Sequence, residues 1–523
     1  MAVGTTLSRI TGLARIVALS YALGIAPLAD AYNLANTTPN MVYDLVVGGI
    51  LSATLVPVFV QHVQREGEDG WRGVQAVVSM ATVVLGAATF ILAVIAPWVV
   101  RAYTAQNSLP VVGSERDVAT TLLRLFAPQV FFYGMLTVAA AMLNTRRRFA
   151  APMFAPIANN LVVIAVLLGA GTWARHLPVS QASSDTRLLL LLGIGTTLGV
   201  AVQLAVLLPS LRRAHARFRW HWEPSHPAVR QVIRLSGWTL GIVITNQVAL
   251  FTVLLLANSE AGGVSAYTYA YAFFQLPYAV IAVSIMTARQ PGWAAAWSIG
   301  DLTTLRREVS RGLRTLLAII VPVAALFAAV AVPAVRLVLG HGATTSHEAS
   351  QAGQLLAILT LGLPGFCAFL YFVRVYQAMQ DTRTPFRLYV VENAINIAVA
   401  ALLYRPAGVR GVAASVAIAY TVAALLTAQR LNQRLPVAER LLGYTPASAL
   451  RRALLFSLPA GFVGWASWHV VKTQGNLASI LEIVIGTLMA TAVAALVLGL
   501  TNSADQTRAL NRRRRRPARK GAR

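Results

Sequence analysis

SRITGLAR (Ser8–Arg15), continued by DAYNLANTTPN (Asp30–Asn40), is the stretch on which the reading of this chain turns. It lies in a mostly apolar run from Thr5 to Phe59 that nevertheless carries Arg9, Arg15, Asp30 and Asp44. A charge near the bilayer centre costs roughly 2.5–3.5 kcal/mol on insertion scales, so charges kept there are expected to face a wet cavity. A first membrane hairpin over residues 5 to 57 is therefore the expected organising element.

The rest of the 523 residues agrees with that start. With 57% hydrophobic and only 12% charged residues, arranged as successive apolar runs about 20 residues long, the composition predicts an all-α polytopic membrane protein. The net charge of +26 could point to nucleic acid. The arginines, however, flank apolar runs, where membrane topology places them, so no nucleic-acid partner is expected. Cys367 is the single cysteine, which excludes an intrachain disulfide. The N-terminal segment is too long and too charged for a removable signal peptide and reads as the first span.

Fourteen spans are expected, near 5–26, 33–62, 73–103, 118–143, 149–173, 187–211, 237–258, 262–288, 312–340, 351–380, 384–405, 410–433, 450–471 and 477–500. Alternate connections differ in charge. One set holds Arg65, Arg72, Arg146 to Arg148, the run Arg212–Arg234, Arg306 to Arg314, Arg383, Arg387, Arg430 to Arg452 and the tail. The other holds little beyond Arg101, Arg116, Arg175, Arg187, Arg405, Arg410 and Lys472. That asymmetry puts both termini in the cytoplasm, and an even number of spans requires the same.

The chain also repeats. Ala141-Met142-Leu143-Asn144-Thr145-Arg146 returns as Ala378-Met379-Gln380-Asp381-Thr382-Arg383, an offset of 237 that also carries Asn159 onto Asn396. Ala31-Tyr32 and Ala35 return as Ala266-Tyr267 and Ala270 at an offset of 235. Because the offset spans an even number of helices, the two copies are expected to share one topology, with a path between them. The expected division is a first lobe over 1–212, a basic aromatic linker over 213–236, a second lobe over 237–434, a two-helix appendix over 435–501 and a polybasic tail over 502–523. His215, His221 and His226 in the linker are too irregularly spaced for a metal site. Its Phe218, Trp220 and Trp222 suit the headgroup layer, and the tail suits anionic lipid.

No phosphate-binding loop, paired-cysteine site or zinc-protease motif is present, so neither an enzyme nor an ATP-driven pump is expected. The distinctive resource is intramembrane arginine, whose planar fork stays charged and grips phosphate through parallel hydrogen bonds. Prolines 39, 57, 128, 156, 277, 322, 333 and 364 are expected kinks and hinges.

These residues resemble a known family. Ser8–Arg15, Asp30-Ala31-Tyr32, Pro39-Asn40, Ser52 and Val56-Pro57-Val58-Phe59 are similar to the opening of the MurJ (MviN) lipid II flippases. Gln275-Leu276-Pro277-Tyr278 and Arg374–Pro385 extend the likeness into the second half. The resemblance implies the MOP-superfamily fold of two six-helix lobes plus two further helices, in the bacterial cytoplasmic membrane. Its implied substrate is lipid II or a similar lipid-linked pyrophosphate oligosaccharide, with cell-wall synthesis proteins as further partners.

Matched position by position, the family's two first-helix arginines fall on Arg9 and Arg15, and its second-helix aspartate on Asp30. Two departures stand out: Tyr43 and Asp44 where the family has a basic pair, and Ala272 where it often has an arginine in the eighth helix. Arg374, just before Tyr376-Gln377, is the further substrate-binding candidate, and Arg124 is the expected ion-pair partner of Asp44. Local readings stay open beside these: Arg9 can snorkel to the interface, and Asp30 can cap its own helix.

No organic cofactor is expected. Glu392 and Asn396, one turn apart, with Thr245 or Asn246, form the candidate site for sodium or another monovalent coupling ion, with interhelical hydrogen bonding as the alternative. Another lipid-linked polysaccharide as cargo, or a non-transporting scaffold for cell-wall assembly, are the competing functions.

Overall fold

The computed structural model describes residues 2–48, 55–146, 148–175, 177–214, 220–227 and 237–435. The expected spans 13 and 14, the appendix, the polybasic tail and most of the basic linker lie outside these residues. Every regular element among the described residues is a helix.

The first lobe comprises α1 (Ala2–Leu23), α2 (Pro27–Tyr43), α3 (Leu55–Tyr103), α4 (Val112–Phe126), α5 (Pro128–Thr145), α6 (Ala150–Ala174), the short α7 (Val179–Ala182), α8 (Thr186–Ala205) and α9 (Leu208–Arg213). The second comprises α10 (Gly237–Ala257), α11 (Gly263–Pro277), α12 (Val283–Ser298), α13 (Leu302–Leu339), α14 (Ser346–Leu361), α15 (Leu363–Ala378) and α16 (Arg383–Arg434). Helices pack densely within each set and thinly between them.

Local chemistry explains most boundaries. Pro27 opens α2 in the first turn, where its missing N–H costs nothing, so this helix starts six residues ahead of the expected span. Asp301 accepts from Thr304 N at 2.8 Å and opens α13 ten residues early. Thr345 and Glu348 form a reciprocal capping box on α14. The 52 residues of α16 would be about 78 Å long at 1.5 Å per residue, far more than a bilayer needs. Gly408, at φ 56° and ψ −140°, breaks them into the two expected spans. α14 and α15 meet at a 50° bend.

Eight helices, or nine with that bent pair, are long and apolar enough to cross a membrane among the described residues. α1 and α2 are not among them, because arginines, Asp30 and a row of amides dilute their apolar content. That dilution belongs to helices facing a cavity instead of lipid.

The two copies of the repeat fall on matching places. The 141–146 and 378–383 segments close α5 and α15, and the Ala-Tyr echo lies on α2 and α11. Both of the latter helices also pass through a proline into a π-helical segment, Pro39 ahead of Asp44–Gly48 and Pro277 ahead of Tyr278–Ala282.

Candidate functional site

A cavity of about 280 Å³ lies where α1, α2 and α6 of the first lobe meet α11 of the second. Arg15, Ile16 and Leu19 line it from α1, and Tyr32, Asn33, Asn36, Thr37 and Asn40 from α2. Val163 and Leu167 close one wall, and Thr268, Tyr269, Tyr271, Ala272 and Gln275 form the other. Arg15 is half-buried and is the charged side chain of this lining. Its guanidinium lies in electrostatic reach of Tyr32 and Tyr133.

Helical spacing places Arg9 about 9 Å from Arg15 toward the arginine-rich end. Arg9 is exposed and outside the cavity lining. Arg374 on α15 is exposed too, and both guanidinium groups act electrostatically on Tyr278. One arginine from each lobe thus lies in electrostatic reach of Tyr278, outside the cavity lining. Sequence reasoning named both arginines as substrate-binding candidates and quoted Tyr278 only as part of the family likeness.

Asp30 stands apart from the cavity lining and is 1% exposed. Its carboxylate accepts from Gly262 N at 2.7 Å, Ser265 N at 2.8 Å and Ser265 Oγ at 2.6 Å. α2 has no side-chain cap of its own. Asp30 instead caps α11 in the opposite lobe, where orphan N–H groups and the helix dipole favour a carboxylate. The local signal was the absence of a cap: α11 follows Glu260-Ala261-Gly262, and Gly262 supplies no side chain.

Other contacts seal the same end. Asn33 Nδ2 donates to Ser265 Oγ at 3.1 Å, and Tyr269 Oη donates to Gly24 O at 3.3 Å. Ser20 Oγ and Thr344 Oγ1 stand 2.6 Å apart, and Ala343 N donates to Tyr21 O at 2.9 Å. All of these lie at the arginine-poor end.

Away from that end, Gln247 Nε2 donates to Asp44 Oδ2 at 3.1 Å across the lobes, in the π segment after α2. Asp44 is therefore partnered by Gln247 and not by Arg124, which is exposed on α4. Tyr43 Oη bonds Thr137 Oγ1 at 2.7 Å inside the first lobe. Ala272 lines the cavity, so the wall contributed by α11 carries no cation there.

The candidate cation residues do not form one cage. Thr245 Oγ1 donates to Gly241 O and Ile242 O of its own helix. Asn246 Oδ1 accepts from Asn393 Nδ2 at 2.8 Å, and Asn396 Oδ1 from Ser415 Oγ at 2.8 Å. Glu392 is 1% exposed with both carboxyl oxygens unpartnered, in electrostatic reach of Tyr267, Tyr271, Tyr389 and Tyr420. Three of the four residues thus make hydrogen bonds to protein groups, the alternative the sequence left open, while both carboxyl oxygens of Glu392 have no partner.

Two lobes of like topology with a polar cavity between them are the architecture of a two-lobed polytopic membrane transporter. The family model described as lipid II flippase MurJ matches residues 19–498. The chain belongs to the lipid II flippase MurJ family.

A probable lipid II flippase MurJ of Rhizobium meliloti (strain 1021) is 28% identical over 464 residues, covering 87% of this chain and 84% of that protein. Among solved structures, a lipid II flippase MurJ in an inward closed conformation superposes with a TM-score of 0.76 at 20% identity, covering 95% of this chain and 98% of the other. An inward-facing multidrug resistance MATE family transporter of the MOP superfamily gives 0.67 at 14% identity, covering 82% and 94%.

Proposed function

We propose that this chain translocates lipid II from the inner to the outer leaflet of the bacterial cytoplasmic membrane by alternating access, with both termini cytoplasmic. The observation that carries this reading is the arginine-bearing cavity between two lobes whose contacts gather at the arginine-poor, outer end. A pyrophosphate approaching from the cytoplasm meets Arg9 and Arg374 outside the cavity lining and Arg15 within it. A guanidinium keeps its charge at any physiological pH and offers paired donors to phosphate oxygens. The amides of Asn33, Asn36, Asn40 and Gln275 offer hydrogen bonds to a sugar head, while the lipid tail stays in the bilayer.

Release requires the outer seam to part. Asp30 then loses three bonds at once, and the N-terminus of α11 loses its cap. Such bonds to a charged group contribute about 1.5–3 kcal/mol each, enough to hold the gate shut until substrate binding or closure at the other end offsets them. The variant reading, a related lipid-linked oligosaccharide as cargo, is the less favoured one, because the matching family and relatives are described as lipid II flippases; Ala272 leaves the α11 wall without a cation, so the arginines of α1 and α15 meet the phosphates.

Complementation tests the proposal. In cells depleted of their own flippase, the wild-type chain should restore growth and the outward exposure of lipid II. Arg15→Ala at equal membrane level should lower exposure by about tenfold or more, the cost of one charge-assisted contact. Full activity in Arg15→Ala would remove the clamp. A well-inserted wild type that fails with lipid II but moves another lipid-linked sugar would select the variant reading.

A further inference from the structure

Two buried side chains at the outer seam take no part in the contacts described so far. Glu115, in the first turn of α4, is 1% exposed. Its Oε2 accepts from Asn107 Nδ2 at 3.0 Å, whereas Oε1 has no partner. Asn258, in the turn between α10 and α11, is also 1% exposed, and neither its Nδ2 nor its Oδ1 has a partner.

The two side chains come from opposite lobes and face each other closely enough to interact, and Asp30 lies within electrostatic reach of Glu115. Arg116 does not neutralise the cluster by direct contact. Its guanidinium is turned to Thr104, donating to Oγ1 at 2.7 Å and to the carbonyl at 3.2 Å. Buried polar atoms are nearly always paired, so an unmet donor facing an unmet acceptor across a moving interface calls for a functional explanation.

We propose that Glu115 and Asn258 form a second cross-lobe latch of the outer gate, in which Asn258 Nδ2 donates to Glu115 Oε1 when the lobes draw fully together and both groups pass to water when they separate. The latch rests on the alternating-access reading above, and it differs from the Asp30 contact in kind. Asp30 already accepts three hydrogen bonds in this conformation, whereas Glu115 Oε1 and the Asn258 amide are still unpartnered. An amide opposite a carboxylate is also charge-selective: a second acid in place of Asn258 would set three carboxyl groups side by side with poor screening.

The test reads gate opening directly. In a Cys367→Ser background, Ile25→Cys places a thiol in the seam, where Ile25 is buried and its carbonyl approaches Gly262. A membrane-impermeant maleimide is then added to intact cells. Asn258→Asp should label about tenfold faster than the parent, the scale of a like-charge contact in a low dielectric. Adding Glu115→Gln, which exchanges acid and amide, should return the rate to within about twofold, as expected for a directly coupled pair.

Parental labelling in Asn258→Asp, or no rescue by Glu115→Gln, overturns the latch. Should Asn258→Asp fail to reach the membrane, a Glu115→Cys/Asn258→Cys pair treated with a short bifunctional thiol reagent replaces it. Bridging that blocks seam labelling supports the proposal, and no bridging overturns it. Gly262→Ala separates the two readings. If it labels while Asn258→Asp does not, only the latch falls; if neither labels, the seam does not open and alternating access falls with it.

Discussion

Arg15 and Asp30 occupy one hairpin, yet they do different things because their surroundings differ. Arg15 is half-buried on a cavity wall beside tyrosines and amides. Asp30 is enclosed, with three donors converging on its carboxylate, so in this conformation it is out of reach of substrate. A short-range reading could rank both as unusual intramembrane charges. It could not separate a cavity ligand from a helix cap, since the cap's target is 232 residues away.

Asp381, between α15 and α16, shows how an acidic side chain behaves outside the membrane. Burial pushes its carboxyl up, but bonds from the Thr384 side chain and backbone, with the Arg434 guanidinium, outweigh that and hold it below the ordinary carboxylate range. A depressed folded-state value means that this contribution is fully present above the unfolded value of about 3.9 and is lost as pH falls through the folded one. Melting curves of purified wild type and Asp381→Asn are therefore expected to differ at pH 7 and to converge below about pH 4. A gap that persists at low pH would show that the ion pair is not its source.

At the scale of elements, the gate depends on backbone that only glycine allows. Gly262 has φ +76°, and a Cβ there would stand 2.5 Å from the Ile25 carbonyl oxygen of the other lobe. Gly342, at φ +71°, approaches Tyr21 as closely, with its Cβ position 2.4 Å from the ring. Gly262→Ala is expected to hold the outer seam ajar through strain of about 1–2 kcal/mol from the left-handed backbone, plus the clash. Faster labelling of a seam cysteine at normal membrane level is the readout, and an unchanged rate would mean that the closed seam can accommodate the methyl group.

The same scale shows what the helical pattern could convey. Apolar runs placed most helix ends to within a few residues, and two of the larger misses fall where a local signal extends the helix beyond the apolar run, at Pro27 of α2 and Asp301 of α13. The π segments after Pro39 and Pro277 were not foreseen, since each adds a residue to a turn without altering hydropathy. Their matched positions on α2 and α11 place a hinge in each lobe beside the cavity.

For the molecule as a whole, function depends on how the lobes are held together and how easily they part. Packing is dense within each lobe and thin between them, which is the distribution that rocking of the lobes in the proposed cycle requires. A Ser20→Cys/Thr344→Cys pair in a Cys367→Ser background replaces hydroxyls that stand 2.6 Å apart. Its cross-link is expected to stop lipid II exposure and reductant to restore it; activity undiminished by a complete cross-link would show that the seam need not open.

By itself the sequence determined the membrane class, the helical architecture and the repeat, because composition, period and charge asymmetry are properties of short segments set against a 30 Å hydrocarbon slab. Only the tertiary structure decided which end is sealed and by what. It made Asp30 the cap of α11, gave Asp44 to Gln247 instead of Arg124, tied Asn246 and Asn396 into hydrogen bonds, and set Glu115 against Asn258. Each of those partnerships joins groups on different helices, most of them on different lobes. Hydrogen-bond geometry is settled by how the helices pack, and no local pattern along the chain encodes that distance.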